Sequence, residues 1–164
     1  MSENKDHITD RIIIDFINNN HVMTICTQSL RDDSHTELGL GKGLWCANCF
    51  YVPSMEITQM PDLYFMSADH SLHSVNISMF PNVAGTIAVQ TLVISEIQGI
   101  QFQANVVRLL EQDANYNQAL SLYQNRFEIA KKITQPLWTL RFEKIKHTRN
   151  SPVFGSKIIW SRDK

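Results

Sequence analysis

The chain has 164 residues, 43% hydrophobic and 19% charged, with a formal net charge of −1. That size and balance suit one globular domain spanning residues 1–164, and exclude a disordered chain. No apolar run reaches the roughly 18–20 residues that cross a bilayer, and the basic excess of a nucleic-acid binder is missing.

The polar start, Met1 to His7, does not read as a secretory signal, so the expected compartment is the cytoplasm. Thr9 is placed to cap a first helix running to about Asn18, with Ile12, Ile13, Phe16 and Ile17 on one face. His21 to Thr27 is rich in Val, Thr and Ile and reads as a strand. Ser29 to Lys42 reads as a long polar connection. Its Gly39-Leu40-Gly41-Lys42-Gly43 run resembles a phosphate loop, but no strand immediately precedes it.

Leu44 to Val52 reads as the second strand, closed by Pro53. It carries Cys46-Ala47-Asn48-Cys49. In a strand, residues three apart point to opposite faces and sit roughly 10 Å apart, too far for a disulfide. The three cysteines, Cys26, Cys46 and Cys49, form no even set and no paired zinc motif, so the expectation is buried structural thiols. A thiol or zinc module built on Cys46 and Cys49 is the weaker alternative.

Leu63 to Met66 reads as a strand, followed by a polar corner and a short helix ending at Phe80. Val83 to Val89 is the next strand. Ile100, Phe102, Ala104 and Val106 alternate with Gln101, Gln103 and Asn105, which is the period of a half-buried strand. The apolar register shifts at Val106-Val107, where a bulge is expected. Asp113 is placed to cap a helix whose face is Tyr116, Leu120, Tyr123, Phe127 and Ala130, with Lys131-Lys132 at its end. Trp138, Leu140 and Phe142 alternate as a strand, and Ser156 to Ser161 make the last.

About seven strands follow one another with little helical interruption, which favours an antiparallel sheet closed or nearly closed into a barrel with flanking helices. Charge is uneven along it. Residues 1–130 hold 6 basic and 14 acidic side chains, and residues 131–164 hold 9 and 2. The basic end is interleaved with Trp138, Phe142, Ile145 and Trp160, so it reads as a folded basic edge, not a nucleic-acid arm.

The corner carries the most chemistry. Ser67, Asp69, His70, Ser71 and His73 fall within seven residues where a helix begins. A helix start presents unpaired N–H groups and a positive dipole end, so hydroxyls and imidazoles added there make a cradle for a phosphate. Two plainer readings stand beside it: Ser71 as a simple helix cap, and His70, His73 and Asp69 as metal ligands. No motif-like further ligand supports the metal, and none is expected.

Met66-Ser67, Ser71, His73 and Phe80-Pro81-Asn82-Val83-Ala84 resemble the flavin-phosphate segment of the pyridoxamine 5′-phosphate oxidase-like split barrels. The uncharacterised bacterial YhbP-type branch is the nearer resemblance. It is carried by Leu44-Trp45-Cys46-Ala47-Asn48 with Phe50-Tyr51, by Gly99-Ile100-Gln101-Phe102, by Asn125-Arg126-Phe127, and by Phe154-Gly155 with Lys157, Ile159 and Trp160. It spans residues 9–162.

The resemblance implies a mainly β, six-stranded antiparallel split β-barrel with flanking helices. It implies a homodimer with FMN at two interface sites. By position, Ser67, Ser71 and His73 match phosphate-binding residues, and Met66 lies beside the ribityl chain. Cys46, Ala47 and Asn48 run along the isoalloxazine ring, and Gly99 and Gln101 fall near a position that reaches FMN. Leu72-His73 stands where the oxidases carry Arg-Lys, so the fixed cations are missing; Lys157 and Arg162 are the expected substitutes. The oxidase's substrate-binding Arg and His have no match, so vitamin B6 oxidation is not expected.

The resemblance thus implies an FMN-dependent oxidoreductase whose small-molecule substrate, unnamed by the sequence, lies near Trp160. The alternative is a non-catalytic barrel for haem or another cofactor. No side chain stands out as catalytic acid or base.

Overall fold

The structure is a computed structural model and describes residues 3–29, 43–55 and 59–162. Among these, eight strands and three α-helices are seen. In chain order they are α1 (Glu3–Asn19), β1 (Val22–Ser29), β2 (Gly43–Phe50), β3 (Val52–Pro53), β4 (Leu63–Met66), α2 (Leu72–Met79), β5 (Asn82–Ala88), β6 (Gln98–Leu109), α3 (Tyr116–Arg126), β7 (Leu137–Arg149) and β8 (Ser156–Ser161). Six strands have six residues or more.

Every pairing is antiparallel. The sheet runs β2-β1-β5-β6-β7-β4-β3, with β8 added to β7. The sheet curls, bringing β2 near β4. This is the split-barrel architecture expected from the sequence. Its concave side is filled by side chains such as Met23, Ile25, Phe65, Ile100, Phe102 and Phe142. Phe102 and Phe142 meet edge-on, with ring centroids 5.2 Å apart. Burying each aromatic removes roughly 150–250 Å² from water, so this pair anchors the centre of the sheet.

Strand β7 divides one edge between two partners. β4 pairs with Leu137–Leu140 and β8 with Lys144–Arg149. Between them the register against β6 slips, so that Gln103 faces Lys144 while Ala104 faces Phe142. Glu143 is therefore the extra residue of a β-bulge. The Arg162 backbone N–H donates to the Glu143 carbonyl at 3.0 Å, and its Nε donates to the Phe142 carbonyl at 2.7 Å.

Several expectations need correction. The first helix begins by Glu3, so Thr9 lies inside it and is not its cap. The bulge sits at Glu143, not at Val106-Val107: Val106 is buried and Val107 half exposed, with pairing unbroken through Leu109. Asp113 does not cap α3. Its carboxylate accepts from the Leu110 N–H at 2.8 Å in the preceding turn, and Asn115 holds the cap position. The helix stops at Arg126, and Glu128–Lys131 continue as a 3-10 turn. The expected connection from Ser29 to Lys42 lies, beyond Ser29 itself, outside the described residues.

Candidate functional site

The corner after β4 is fixed from both sides. The Ser67 N–H donates to the Pro136 carbonyl at 3.1 Å, and its own carbonyl accepts from Trp138 Nε1 at 3.2 Å. Ser71 is the N-cap of α2, in extended conformation, and its side chain accepts from the Ser74 N–H at 3.4 Å. That geometry turns a third serine, one helical turn on, back towards the corner.

The result is a triangle of hydroxyl oxygens. Ser67 and Ser71 are 2.9 Å apart, Ser71 and Ser74 2.8 Å, and Ser74 and Ser67 2.9 Å. His73 Nε2 adjoins it, 2.7 Å from the Ser67 oxygen and 3.3 Å from that of Ser71. Ser67 and Ser74 are buried. From the concave side of β2, Cys49 Sγ comes within 3.9 Å of the same imidazole nitrogen. The corner and the Cys46–Cys49 strand are thus joined.

Burial holds the His73 imidazole below the usual histidine range and pushes the Cys49 thiol up to about 12. Near neutral pH both are uncharged. With Nε2 unprotonated, Ser67 can donate to it, Ser74 to Ser67, and Ser71 to the Ala68 carbonyl 2.9 Å away. The cluster then satisfies itself. Protonation reverses the His73–Ser67 bond, releases the Ser67 proton and leaves one positive charge. A single proton thus frees one hydroxyl donor beside one positive charge.

The fixed cation on this corner is Arg108, paired with Asp69 at 2.9 Å on the surface. Sequence reasoning missed it, because the contact spans 39 residues. It also missed Ser74, whose place in the cluster depends on the turn of α2 that follows the Ser71 cap.

The other predicted residues group by face. Three register rows cross the convex side of the sheet. The first holds Lys157, Thr148, Gly99 and Ala88. The second holds Ile159, Lys146, Gln101, Thr86, Thr24 and Asn48. The third holds Ser161, Lys144, Gln103, Ala84, Cys26 and Cys46. Five predicted residues, Cys46, Asn48, Gly99, Gln101 and Lys157, therefore share one face in successive rows. Ala47 and Trp160 face the core, and Met66 packs against it beside the corner.

Lys157 is not near the corner within one chain. Its partner Thr148 is eleven positions along β7 from Leu137, roughly 35 Å at about 3.3 Å per residue. Arg162 is engaged with the Phe142 carbonyl and approaches Asp62 at 3.8 Å. Of the three cysteines only Cys49 is buried; Cys46 is exposed and Cys26 half-buried. The expectation of buried thiols fails at Cys46 because β2 ends the sheet order and its convex side is uncovered.

Two shallow pockets of about 320 Å³ each lie elsewhere. One is lined by Arg108, Tyr116, Pro136 and Leu137, and the other by Glu96, Gln98 and Arg149. Neither is lined by the serines or His73. Among the described residues no cluster of three or more His, Cys, Asp or Glu could hold a metal, and no helix is long and apolar enough to cross a membrane.

No protein-family model matches the chain. A UPF0306 protein of Yersinia pseudotuberculosis (strain YPIII) is 40% identical over 147 residues, covering 90% of this chain and 89% of the relative. Among solved structures, HutZ of Vibrio cholerae, described as a haem storage protein, superposes with a TM-score of 0.63 at 13% identity, over 81% of this chain and 89% of its own. A pyridoxamine 5′-phosphate oxidase-related, FMN-binding protein of Nostoc punctiforme superposes with a TM-score of 0.60 at 8% identity, over 98% and 88%. These likenesses show the split-barrel fold.

Proposed function

We propose that this chain, which belongs to the UPF0306 protein family, binds FMN in a homodimer, with the phosphate at the Ser67–Ser71–Ser74–His73 corner. Within the split barrels we assign it to the YhbP-type branch. The observation that carries the reading is the hydroxyl triangle at the start of α2 with an imidazole against it. Three hydroxyls, the first N–H groups of a helix and a histidine that can accept a proton are the donor set a phosphate needs.

The isoalloxazine ring would run along Cys46, Ala47 and Asn48 of β2, the strand whose Cys49 meets His73 at the corner. A second copy would help to enclose a cofactor of this size. Leu44, Phe50 and Ile159 stand exposed on the sheet and would be covered by that copy. Lys144 and Lys146, in the rows of Cys46 and Asn48, join Lys157 as fixed cations that a second copy could present. Bound flavin would supply electron-transfer chemistry, and the protein would supply position and hydrogen bonds.

His73 Nε2, the ring atom facing the cluster, already has neighbours at 2.7, 3.3 and 3.9 Å, so as placed it is engaged with the serines and Cys49 and is not a free haem ligand.

Titration of the purified protein with FMN, read by flavin fluorescence, tests the proposal. Quenching is expected, with riboflavin binding at least tenfold more weakly because it lacks the phosphate. Ser71→Ala should weaken FMN and leave riboflavin unchanged. Equal affinity for the two flavins, or no quenching with no thermal stabilisation, would overturn it. A Soret band on adding haem, with no response to FMN, would support the alternative.

A further inference from the structure

The sequence draws attention to Cys46 and Cys49, but the fold separates them. Cys46 is exposed on the convex side of β2, and Cys49 is buried on the other side against His73. The partner of Cys46 is instead Cys26. The two stand directly opposite in the β1–β2 register. Directly opposed residues of an antiparallel pair have Cα atoms about 4.5–5.5 Å apart, inside the roughly 4.4–6.8 Å window of a disulfide. Both belong to the third convex row, on strands at the open end of the sheet order.

We propose that Cys26 and Cys46 form a reversible cross-strand disulfide, a redox modification site on the convex face. Cys46, the exposed thiol, reacts first. As the thiolate it displaces one thiolate from a low-molecular-weight disulfide such as oxidised glutathione, and a mixed disulfide forms at Cys46. Cys26 then loses its proton and attacks the Cys46 sulfur, expelling the second glutathione thiolate. Two cysteine thiols and one glutathione disulfide become one protein disulfide and two glutathione thiols. The cysteines lose two electrons and two protons, and glutathione gains them.

Burial raises the Cys26 thiol above its usual range, and neighbouring Cys46 adds to that. Its place directly opposite Cys46 suits Cys26 to the resolving role, in which proximity offsets the smaller thiolate population. Cys49 takes no part, being buried and protonated. Both sulfurs lie on the protein's own strands, so the disulfide can form without flavin; because the proposed flavin would lie along Cys46, bound FMN should slow its reaction.

The test is intact-mass and peptide mapping of the native protein after incubation with oxidised glutathione, with free thiols blocked by N-ethylmaleimide. Oxidation is expected to reduce the blocked thiols from three to one, and to link the Cys26 and Cys46 peptides within a single chain. Dithiothreitol should restore all three. Cys26→Ser should stop at the mixed disulfide on Cys46, and Cys49→Ser should leave the cross-link unchanged. Wild-type protein that retains glutathione at Cys46 with Cys26 free would overturn the proposal. So would chains linked covalently through Cys46, or a Cys46–Cys49 link formed under native conditions.

Discussion

Two histidines make stability depend on pH with a definite sign. Burial lowers the His73 imidazole below its ordinary range, and burial together with the Arg149 charge lowers that of His147. His147 is 1% exposed, lies against Phe16 with ring centroids 5.1 Å apart, and has no hydrogen-bond partner on either nitrogen among the described residues. Between each lowered folded value and the unfolded value near 6.5, the unfolded chain binds more protons than the folded one. Stability therefore rises with pH, is fully present above about 6.5, and is lost as pH falls through the folded values. Each proton contributes at most about 1.4 kcal/mol per pH unit, so the pair sets a ceiling of about 2.7 kcal/mol per unit. Urea unfolding at intervals from pH 5.5 to 8, in buffers free of phosphate, reads this slope. His147→Phe keeps the ring and removes the titration. It should cut the slope by up to half and leave stability at pH 7.5 unchanged or about 1–3 kcal/mol higher, because an unpaired buried polar group is gone. Stability that increases on acidification from pH 7 to 5.5, or a slope untouched by His147→Phe, would refute the reasoning.

Gly85→Ala should destabilise by about 1–3 kcal/mol or more, because the new methyl meets the Phe102 ring and the Thr24 carbonyl of the neighbouring strand; thermal unfolding checks this. Tyr51→Phe removes a hydroxyl that donates to the Ile17 carbonyl at 2.8 Å near the end of α1, and a loss of about 1–3 kcal/mol is expected in urea unfolding. If FMN phosphate sits at the corner, its affinity should fall as pH rises through the His73 titration, by at most about tenfold per unit. Comparison with His73→Ala separates that change from the titration of the phosphate itself, and parallel profiles for the two proteins would count against the role.

Much of the fold could be read from periodicity. The Ile100–Val106 alternation gave β6 its buried side. What could not be read is what depends on pairing. The spacing of Cys46 and Cys49 correctly placed them on opposite faces, yet only the register shows that Cys46 faces Cys26. Asp113 looks like a cap because caps are chosen by residue type, but its carboxylate is taken by the Leu110 N–H of the preceding turn. The corner was legible as a helix start rich in hydroxyls. Ser74, which completes the triangle from inside α2, and Arg108, which arrives from β6, were not. The convex rows, which gather Cys46, Asn48, Gly99, Gln101 and Lys157, are a property of the whole sheet and have no local signature.

The bulge at Glu143 gives β7 a property that a regular strand would lack. Phe142 and Ile145 both point inward on either side of it, so the strand changes direction without reversing its faces. Its edge passes from β4 to β8 at that point, where Arg162 bridges to the Phe142 and Glu143 carbonyls. One strand thus serves two partners: β4, on which the serine corner is mounted, and β8, held over six paired positions with Ile158 and Trp160 packed against the core. Arg162 also approaches Asp62 just ahead of β4, so the C-terminal edge and the strand that carries the corner are tied together at the bulge.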